Sequence, residues 1–331
     1  MIIVRTPLRI SFVGGGSDLK AFYEHSDGQV VCTAIDKFVF AIVKERFDEM
    51  IYINYSRKET VARVDEIQHD LVREAMKITG VRKGIEITTL ADIPSSGSGL
   101  GSSSSVTVAL LHALHTYKNT LVTAEQLARE ACRIEIDILG KPIGRQDQYA
   151  AAYGGVNRFI FRSDDSTERI PVEMAHAVRR KFSSSLLLYY TGITRRADEI
   201  LTRQKTNMDA EEKRNGMLAM VDLVIPFSQA MEKGDIKTCG QLLDRNWQLK
   251  QQMASGISND TIAGMHRLAM EAGAVAGKVC GAGGGGFLLL MVPRERQNTV
   301  FAAMQPFREL PFMVEECGSK VIFDDRSYSS K

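Results

Sequence analysis

Pro94-Ser95-Ser96-Gly97-Ser98-Gly99-Leu100-Gly101-Ser102-Ser103-Ser104-Ser105 separates two regular patterns. Before it, Ile85-Glu86-Ile87-Thr88-Thr89 alternates as a half-buried strand does, so Gly84 to Ile93 reads as β. After it, Val106 to His115 is almost continuously apolar and reads as a helix. The three glycines let a backbone curl close to a ligand. The four serines add hydroxyls where the first amides of a helix have no intrahelical partner. Such a helix end carries partial positive charge and suits an anion, phosphate above all. A flexible linker is the alternative, but linkers seldom sit between a strand and a continuous helix.

Working outward, two further glycine stretches appear. A strand-like segment at 2–13, with Ile2, Val4, Ile10 and Phe12 as apolar positions around Pro7, turns through Gly14-Gly15-Gly16-Ser17-Asp18. Near the other end, Cys280-Gly281-Ala282-Gly283-Gly284-Gly285-Gly286-Phe287 leads into a strand at 288–292. None of the three is a G-x-x-x-x-G-K-[ST] loop, and none has the G-x-G-x-x-G opening with an acid beyond it that reads a ribose. That weighs against a nicotinamide-dependent dehydrogenase.

Two acids stand between the loops. Thr123-Ala124-Glu125-Gln126 has the form of a capping box and opens a helix to about Leu139. Its apolar face holds Leu127, Ala128, Ala131, Ile134 and Ile138, and Glu135 lies one residue from that register. Gly140 stops the helix, and the next loop, Lys141 to Gln148, carries Asp147. Phosphoryl transfer needs donors around the phosphates, a divalent cation, a group on the acceptor and positive charge. The central loop offers the donors. A serine at the head of its helix, with Glu135, would hold Mg²⁺ through oxygen, and Asp147 could reach the acceptor as a base. On spacing alone, a salt bridge for Glu135 and a turn cap for Asp147 stay open.

Composition narrows the classes. The 331 residues carry 42 basic against 40 acidic side chains, a net charge of +2 that gives no pull toward nucleic acid or membrane. Cys32, Cys132, Cys239, Cys280 and Cys317 are odd in number and contain no C-x-x-C pair, against both a disulfide framework and a zinc site. The chain opens directly into a strand-like pattern and no apolar run reaches membrane-spanning length, so a reducing cytoplasm is expected. Strands are expected at 29–35, 37–46 and 50–55, and a helix at 65–79. The polar stretch 164–181, with Pro171, suggests a boundary, giving domains at 1–180 and 181–331. Beyond it the pattern predicts a strand at 186–190, helices near 195–206, 210–233, 235–254 and 259–272, and short strands at 312–316 and 320–323.

These residues also resemble a known family. Pro94-x-x-x-x-Gly99-Leu100-Gly101-Ser102-Ser103 is similar to the ATP-binding motif of the GHMP kinases, the family of galactokinase, homoserine kinase, mevalonate kinase and phosphomevalonate kinase. Thr6-Pro7-Leu8-Arg9 through Asp18 and Cys280 through Phe287 resemble its first and last motifs, in the family's order. Gly144-x-Gln146-Asp147-Gln148-Tyr149 and Tyr190-Thr191-Gly192 are similar to signatures of the D-glycero-D-manno-heptose 7-phosphate kinases within it. Galactokinases carry Glu-His where this chain has Gly15-Gly16, which weighs against galactose.

The resemblance implies an α+β, two-domain fold, each domain a mixed or antiparallel sheet covered by helices, with the active site in the cleft between them. It implies ATP and Mg²⁺, with Asp147 as the catalytic aspartate and Arg9 beside it. Ser96, Gly97, Ser98, Gly99, Leu100, Gly101, Ser102, Ser103 and Ser104 would wrap the triphosphate, and Ser103 with Glu135 would hold the metal. Ser11, Gly14, Gly15, Gly16, Ser17, Asp18, Gly192, Gly283 and Gly284 would face the sugar. The implied reaction is phosphorylation of the anomeric hydroxyl of D-glycero-D-manno-heptose 7-phosphate to the 1,7-bisphosphate, for nucleotide-activated heptose synthesis. Arg195, Arg196, Lys141, Arg145 and Lys278 are candidates for the distal phosphate, with a solvated surface as the alternative and the expected role for most of them. The expected partner is a small sugar phosphate, with no nucleic acid and no membrane; a homodimer stays open. Kinases of fucose, mannose or a free heptose are alternatives. So is a silent ATP- and sugar-binding sensor, against which the retention of both Glu135 and Asp147 speaks.

Overall fold

The chain opens with β1 (Ile2–Val13), the short helix α1 (Lys20–Tyr23) and the long β2 (Gly28–Glu45), in a computed structural model that describes residues 1–93, 97–194, 197–208 and 210–326. β3 (Ile51–Asn54), β4 (Lys58–Val61), α2 (Asp70–Thr79) and β5 (Ile85–Ala91) follow. Then come α3 (Ser102–Tyr117), α4 (Ala124–Cys132), a π-helical turn (Arg133–Ile138), α5 (Gln146–Tyr153), β6 (Val156–Phe161) and β7 (Thr167–Pro171). The remainder is α6 (His176–Ser184), β8 (Leu186–Tyr190), α7 (Ala197–Asn207), α8 (Glu211–Val221), α9 (Val224–Lys233), α10 (Ile236–Gln251), α11 (Asp260–Glu271), β9 (Ala276–Val279), β10 (Phe287–Met291), α12 (Gln297–Met304) and β11 (Lys320–Asp324).

β1 to β7 and β11 form one eight-stranded sheet, and β8, β10 and β9 form a three-stranded antiparallel one. β2 is long enough to serve two neighbours on one side. Its first part pairs with β6 and its second with β5, while β1 lies along its other edge. Only the pairing of β3 with β5 is parallel among the described strands. Where strands at 29–35 and 37–46 are expected, one strand runs through. The register slips there, with Pro7 opposite Phe38 and Leu8 opposite Ile35, so Asp36 and Lys37 bulge out. The polar stretch 164–181 is ordered too: β7 pairs with β6, with Pro171 at its end, where a missing N–H is tolerated. The 312–316 segment contributes a single bridge, Val314 to Ile35, in place of the expected strand. β11 carries the chain back to β1.

α3 explains how the first half is built. It is apolar almost all round, and Val106 to Leu111 and Ala113 to His115 are buried. A helix of that kind belongs inside, and it lies against β1, β2, α2, α4 and α5. Its N-terminus is therefore held firmly beneath the central glycine loop. A second core lies around the three-stranded sheet, with Trp247, Met217, Met220, Met265, Leu288 and Leu290 buried in it. No helix among the described residues is long and apolar enough to cross a membrane.

Candidate active site

Three consecutive residues at the head of α5 organise the site. Successive helical residues point about 100° apart, so Gln146, Asp147 and Gln148 reach in three directions. Gln146 donates from its backbone N to Asp18 Oδ2 at 3.2 Å and from Nε2 to Asp18 Oδ1 at 3.1 Å. Asp147 accepts Arg9 Nε at 2.7 Å on Oδ1 and Arg9 Nη2 at 2.6 Å on Oδ2. Gln148 Nε2 donates to Glu135 Oε2 at 2.8 Å. One helical turn thus ties together the three acids on which the site depends.

Arg9 is nearly buried and joins two parts of the site. Its Nη1 donates to the Gly99 carbonyl at 2.6 Å, and its backbone N to Leu100 O at 3.0 Å. Burial opposes its charge, but the Asp147 carboxylate outweighs that and holds the guanidinium above its ordinary value. The central glycine loop is braced from the other side by the third glycine motif. A Cβ on Gly281 would come within 2.8 Å of the Gly99 Cα, so the two backbones touch. Within the loop, Leu100 is buried and its backbone N–H already donates to Ser98 Oγ at 3.3 Å. Leu100 is therefore an anchor rather than a phosphate donor. The first helical bond of α3 runs from Ser105 N to Gly101 O at 3.0 Å, leaving the amides of Ser102, Ser103 and Ser104 ahead of the ladder. Gly97, Ser98, Gly99 and Gly101 complete the turn; Pro94, Ser95 and Ser96 lie outside the described residues.

Glu135 comes to the site through the π turn. Leu139 N bonds to Ile134 O at 3.0 Å, a five-residue step that inserts one residue into the helix. The insertion shifts the apolar register: Glu135 is fully buried, and Ile138, expected on the inner face, is 44% exposed. Glu135 Oε1 accepts Ser103 Oγ at 2.7 Å and Lys141 Nζ at 3.2 Å, and Lys141 Nζ also reaches Ser103 Oγ at 3.0 Å. A hydroxyl and a carboxylate with an ammonium seated between them form a hard-oxygen site that already accepts positive charge. It suits Mg²⁺ chemically.

Next to Asp147 lies a pocket lined by Arg9, Ser11, Gly15, Gly16, Asp18, Gln146, Lys250 and Lys278 among others. Asp18 is buried in its wall, and its carboxyl is pushed up by burial and by the Asp147 charge. Gly144 has to lack a side chain, because a Cβ there would overlap Asp18 Oδ2. Ser11 Oγ and Gln146 Oε1, which belong to lining residues, and Gln204 Nε2 beside Gly16 are buried without hydrogen-bond partners. Unpaired polar atoms converging on one pocket are what a polyhydroxylated ligand would satisfy.

Several expected contacts fall elsewhere. The amides of Gly14, Gly16 and Ser17 are taken by Asn246 Oδ1, Asp18 Oδ1 and Gly14 O, and the Ser17 hydroxyl by Gln29. Of the first glycine loop, Gly15, Gly16 and Asp18 line the pocket, whereas Gly14 and Ser17 shape the turn. A Cβ on Gly192 would meet nothing within 4 Å, and the Gly284 amide donates to Ile257 O at 2.8 Å. Gly283 packs on Ile257, so the pocket meets this motif at Gly281 and Ala282 instead. Arg145 points away, bonded to Asp165 at 2.7 Å and stacked on Tyr23. Arg195 and Arg196 lie outside the described residues.

Lys250 lines the pocket, and Asn246 and Gln204 support it and the first glycine loop from behind; none of the three was singled out in the sequence. Lys250 Nζ donates to Gly15 O at 2.9 Å and to Gln204 Oε1 at 3.2 Å. A signal existed: Cys239, Leu243, Asn246 and Lys250 form one helical stripe, all buried, and two of the four are polar. Lys278 donates to Ser11 O and Phe12 O, each at 2.8 Å. Burial lowers the Lys250 ammonium to about 8 and the Lys278 ammonium to about 7.

The arrangement agrees with what the chain resembles. The model of the GHMP kinases N terminal domain matches residues 64–155, and that of GHMP kinases C terminal matches 227–308. The chain belongs to the GHMP kinase family. A D-glycero-alpha-D-manno-heptose 7-phosphate kinase of Campylobacter jejuni is 30% identical over 314 residues, covering 91% of this chain and 92% of that protein. A galactokinase of Pyrococcus furiosus is 25% identical over 90% of this chain and 91% of its own. A crystal structure described as a D-glycero-D-manno-heptose 1-phosphate kinase from Bacteriodes thetaiotaomicron superposes with a TM-score of 0.81 at 26% identity, covering 99% of this chain and 100% of that one. As a GHMP kinase, this chain is an ATP-dependent phosphotransferase with an alcohol group as acceptor. The α+β architecture with two sheets is that of the family.

Proposed function

We propose that this kinase transfers the γ-phosphoryl group of ATP to the anomeric hydroxyl of D-glycero-D-manno-heptose 7-phosphate. The observation that carries the reading is Asp147, clamped by Arg9 at the mouth of a pocket whose walls hold unpaired polar atoms. The 30%-identical relative's activity supports the choice of sugar. The triphosphate would lie on the amides of Ser102, Ser103 and Ser104 at the positive end of α3. Ser103 and Glu135 would hold Mg²⁺, which would offset the negative charge of the phosphates.

Asp147 meets the acceptor hydroxyl. Both its oxygens already receive Arg9, so its first contribution is to orient the hydroxyl, and its second is to accept the proton as the bond to phosphorus forms. Asp18, Ser11, Gln146 and the Lys250–Gln204 pair would bind the ring hydroxyls. Since transfer to an alcohol proceeds through a loose transition state, alignment by these groups supplies most of the acceleration.

A second reading, an acceptor without the distal phosphate, has one observation in its favour. Lys250 and Lys278 each direct two of three ammonium donors at protein oxygens, so neither is a free phosphate clamp. A panel of heptose 7-phosphate, free heptose, mannose, fucose and galactose, assayed by ATP consumption with ³¹P NMR of the product, separates the two. A new anomeric phosphate on heptose 7-phosphate is expected; faster turnover of a free sugar would overturn the first reading.

A further inference from the structure

Glu135 is wholly buried, and the ammonium within ion-pair distance of it among the described residues is Lys141. The three partners form a closed set. Ser103 Oγ donates to Glu135 Oε1 at 2.7 Å and accepts from Lys141 Nζ at 3.0 Å, and Lys141 Nζ stands 3.2 Å from the same carboxylate oxygen. The ammonium thus holds the two oxygens that a divalent cation would need. Two cations cannot share that space: unit charges a few ångströms apart repel strongly in a buried setting. The main chain of Lys141 is fixed, its N–H bonded to Glu135 O at 2.9 Å, but its side chain is 23% exposed and reaches in from the rim. Its four-carbon stem can swing while the backbone stays in place.

We propose that Lys141 is the resident counter-ion of Glu135 in the nucleotide-free enzyme, and that its ammonium leaves this position for the triphosphate oxygens when the nucleotide arrives with its divalent cation. The inference rests on reading Ser103 and Glu135 as the metal ligands. When Lys141 leaves, Ser103 keeps its bond to Glu135 and regains the lone pair that the ammonium had occupied. Metal binding and nucleotide binding are coupled by this exchange: metal alone must displace a cation into solvent, whereas metal with nucleotide gives that cation new anionic partners.

Mn²⁺ titration of the full chain followed by electron paramagnetic resonance tests it. Without nucleotide, Lys141→Met should bind Mn²⁺ at least about tenfold more tightly than wild type, because no ammonium competes for Glu135. Lys141→Arg, which keeps a cation, should stay near wild type. Equal Mn²⁺ affinity in Lys141→Met and wild type would overturn the exchange. Glu135→Gln separates the underlying reading: if it leaves Mn²⁺ binding in the presence of ATP unchanged, the metal assignment itself fails. Should Lys141→Met not fold, ¹³C-methylation of the wild-type lysines gives a second readout. The Lys141 methyl resonance, assigned by its loss in Lys141→Arg, should move on addition of MgATP, and its constancy would overturn the proposal.

Discussion

Arg9 grips both carboxylate oxygens of Asp147, at 2.7 and 2.6 Å, and with its remaining terminal nitrogen holds the Gly99 carbonyl of the central glycine loop at 2.6 Å. One guanidinium therefore sets the distance between Asp147 and that loop. Arg9→Lys keeps the charge and loses the fork, since an ammonium cannot bind two oxygens and a carbonyl in one plane. Turnover should fall by roughly 10²-fold or more, with weaker ATP binding as well. Asp147→Asn should lower kcat by about 10² to 10⁴ with little change in the affinity for ATP. Steady-state kinetics with calorimetric ATP binding distinguishes the two patterns, and a kcat within a few-fold of wild type for Asp147→Asn would remove Asp147 from the reaction.

Gly144 is where the carboxylate of Asp18 rests on the chain. A methyl group there would overlap Asp18 Oδ2, so Gly144→Ala must displace that side chain or the head of α5. Displacing Asp18 also breaks its bonds from Gln146 N and Nε2. The expected outcome is a KM for the sugar raised by about tenfold or more, corresponding to one or two lost hydrogen bonds to a charged group, with the KM for ATP nearly unchanged. Varying each substrate at saturation of the other reads this directly.

Asn246 fixes the first glycine loop from a distance in sequence. Its Oδ1 accepts the buried Gly14 amide at 3.0 Å, linking α10 to the turn after β1. Asn246→Ala leaves that amide without a partner, and stability should drop by about 1–3 kcal/mol. Urea denaturation measures it. A loss confined to a few tenths would mean that the loop finds another acceptor.

Lys278 gives a pH dependence with a defined sign. Burial lowers its ammonium to about 7 in the folded protein, against about 10.4 in an unfolded chain. Between those values the unfolded chain holds a proton that the native one has released, so native stability gains as pH rises through the window. Below about 7 both states are protonated and this gain is absent. The unfolding free energy of wild type relative to Lys278→Met should therefore climb from pH 7 toward 9, by at most about 1.4 kcal/mol per unit. A flat difference would show that the ammonium stays charged in its carbonyl cage.

Much of this protein was legible in its order of residues. The strand–loop–helix around 97–105, the helix start at Thr123, whose Oγ1 accepts Gln126 N at 3.1 Å, and most helices of the second half follow from local periodicity and turn chemistry. So do Asp147, Arg9, Ser103 and Glu135 as residues of interest, since the motifs that carry them are contiguous and their chemistry depends on residue type. The single helix expected at 210–233 is instead divided into α8 (Glu211–Val221) and α9 (Val224–Lys233). What local pattern could not give is partnership. A π turn, formed where one extra residue is taken into the helix after α4, exchanged Ile138 for Glu135 on the buried face. Lys141, read as a surface or distal-phosphate cation, closes on that acid; Arg145 turns to Asp165; Lys250 and Asn246 reach Gly15 and Gly14 from more than 230 positions along the chain. The sequence by itself determined most of the elements, the central glycine loop and the acids, because each rests on contacts a few residues long. The tertiary structure alone decided which amides of the first glycine loop are already taken and which polar atoms remain unpaired in the pocket. Those depend on hydrogen bonds between segments that only packing brings together.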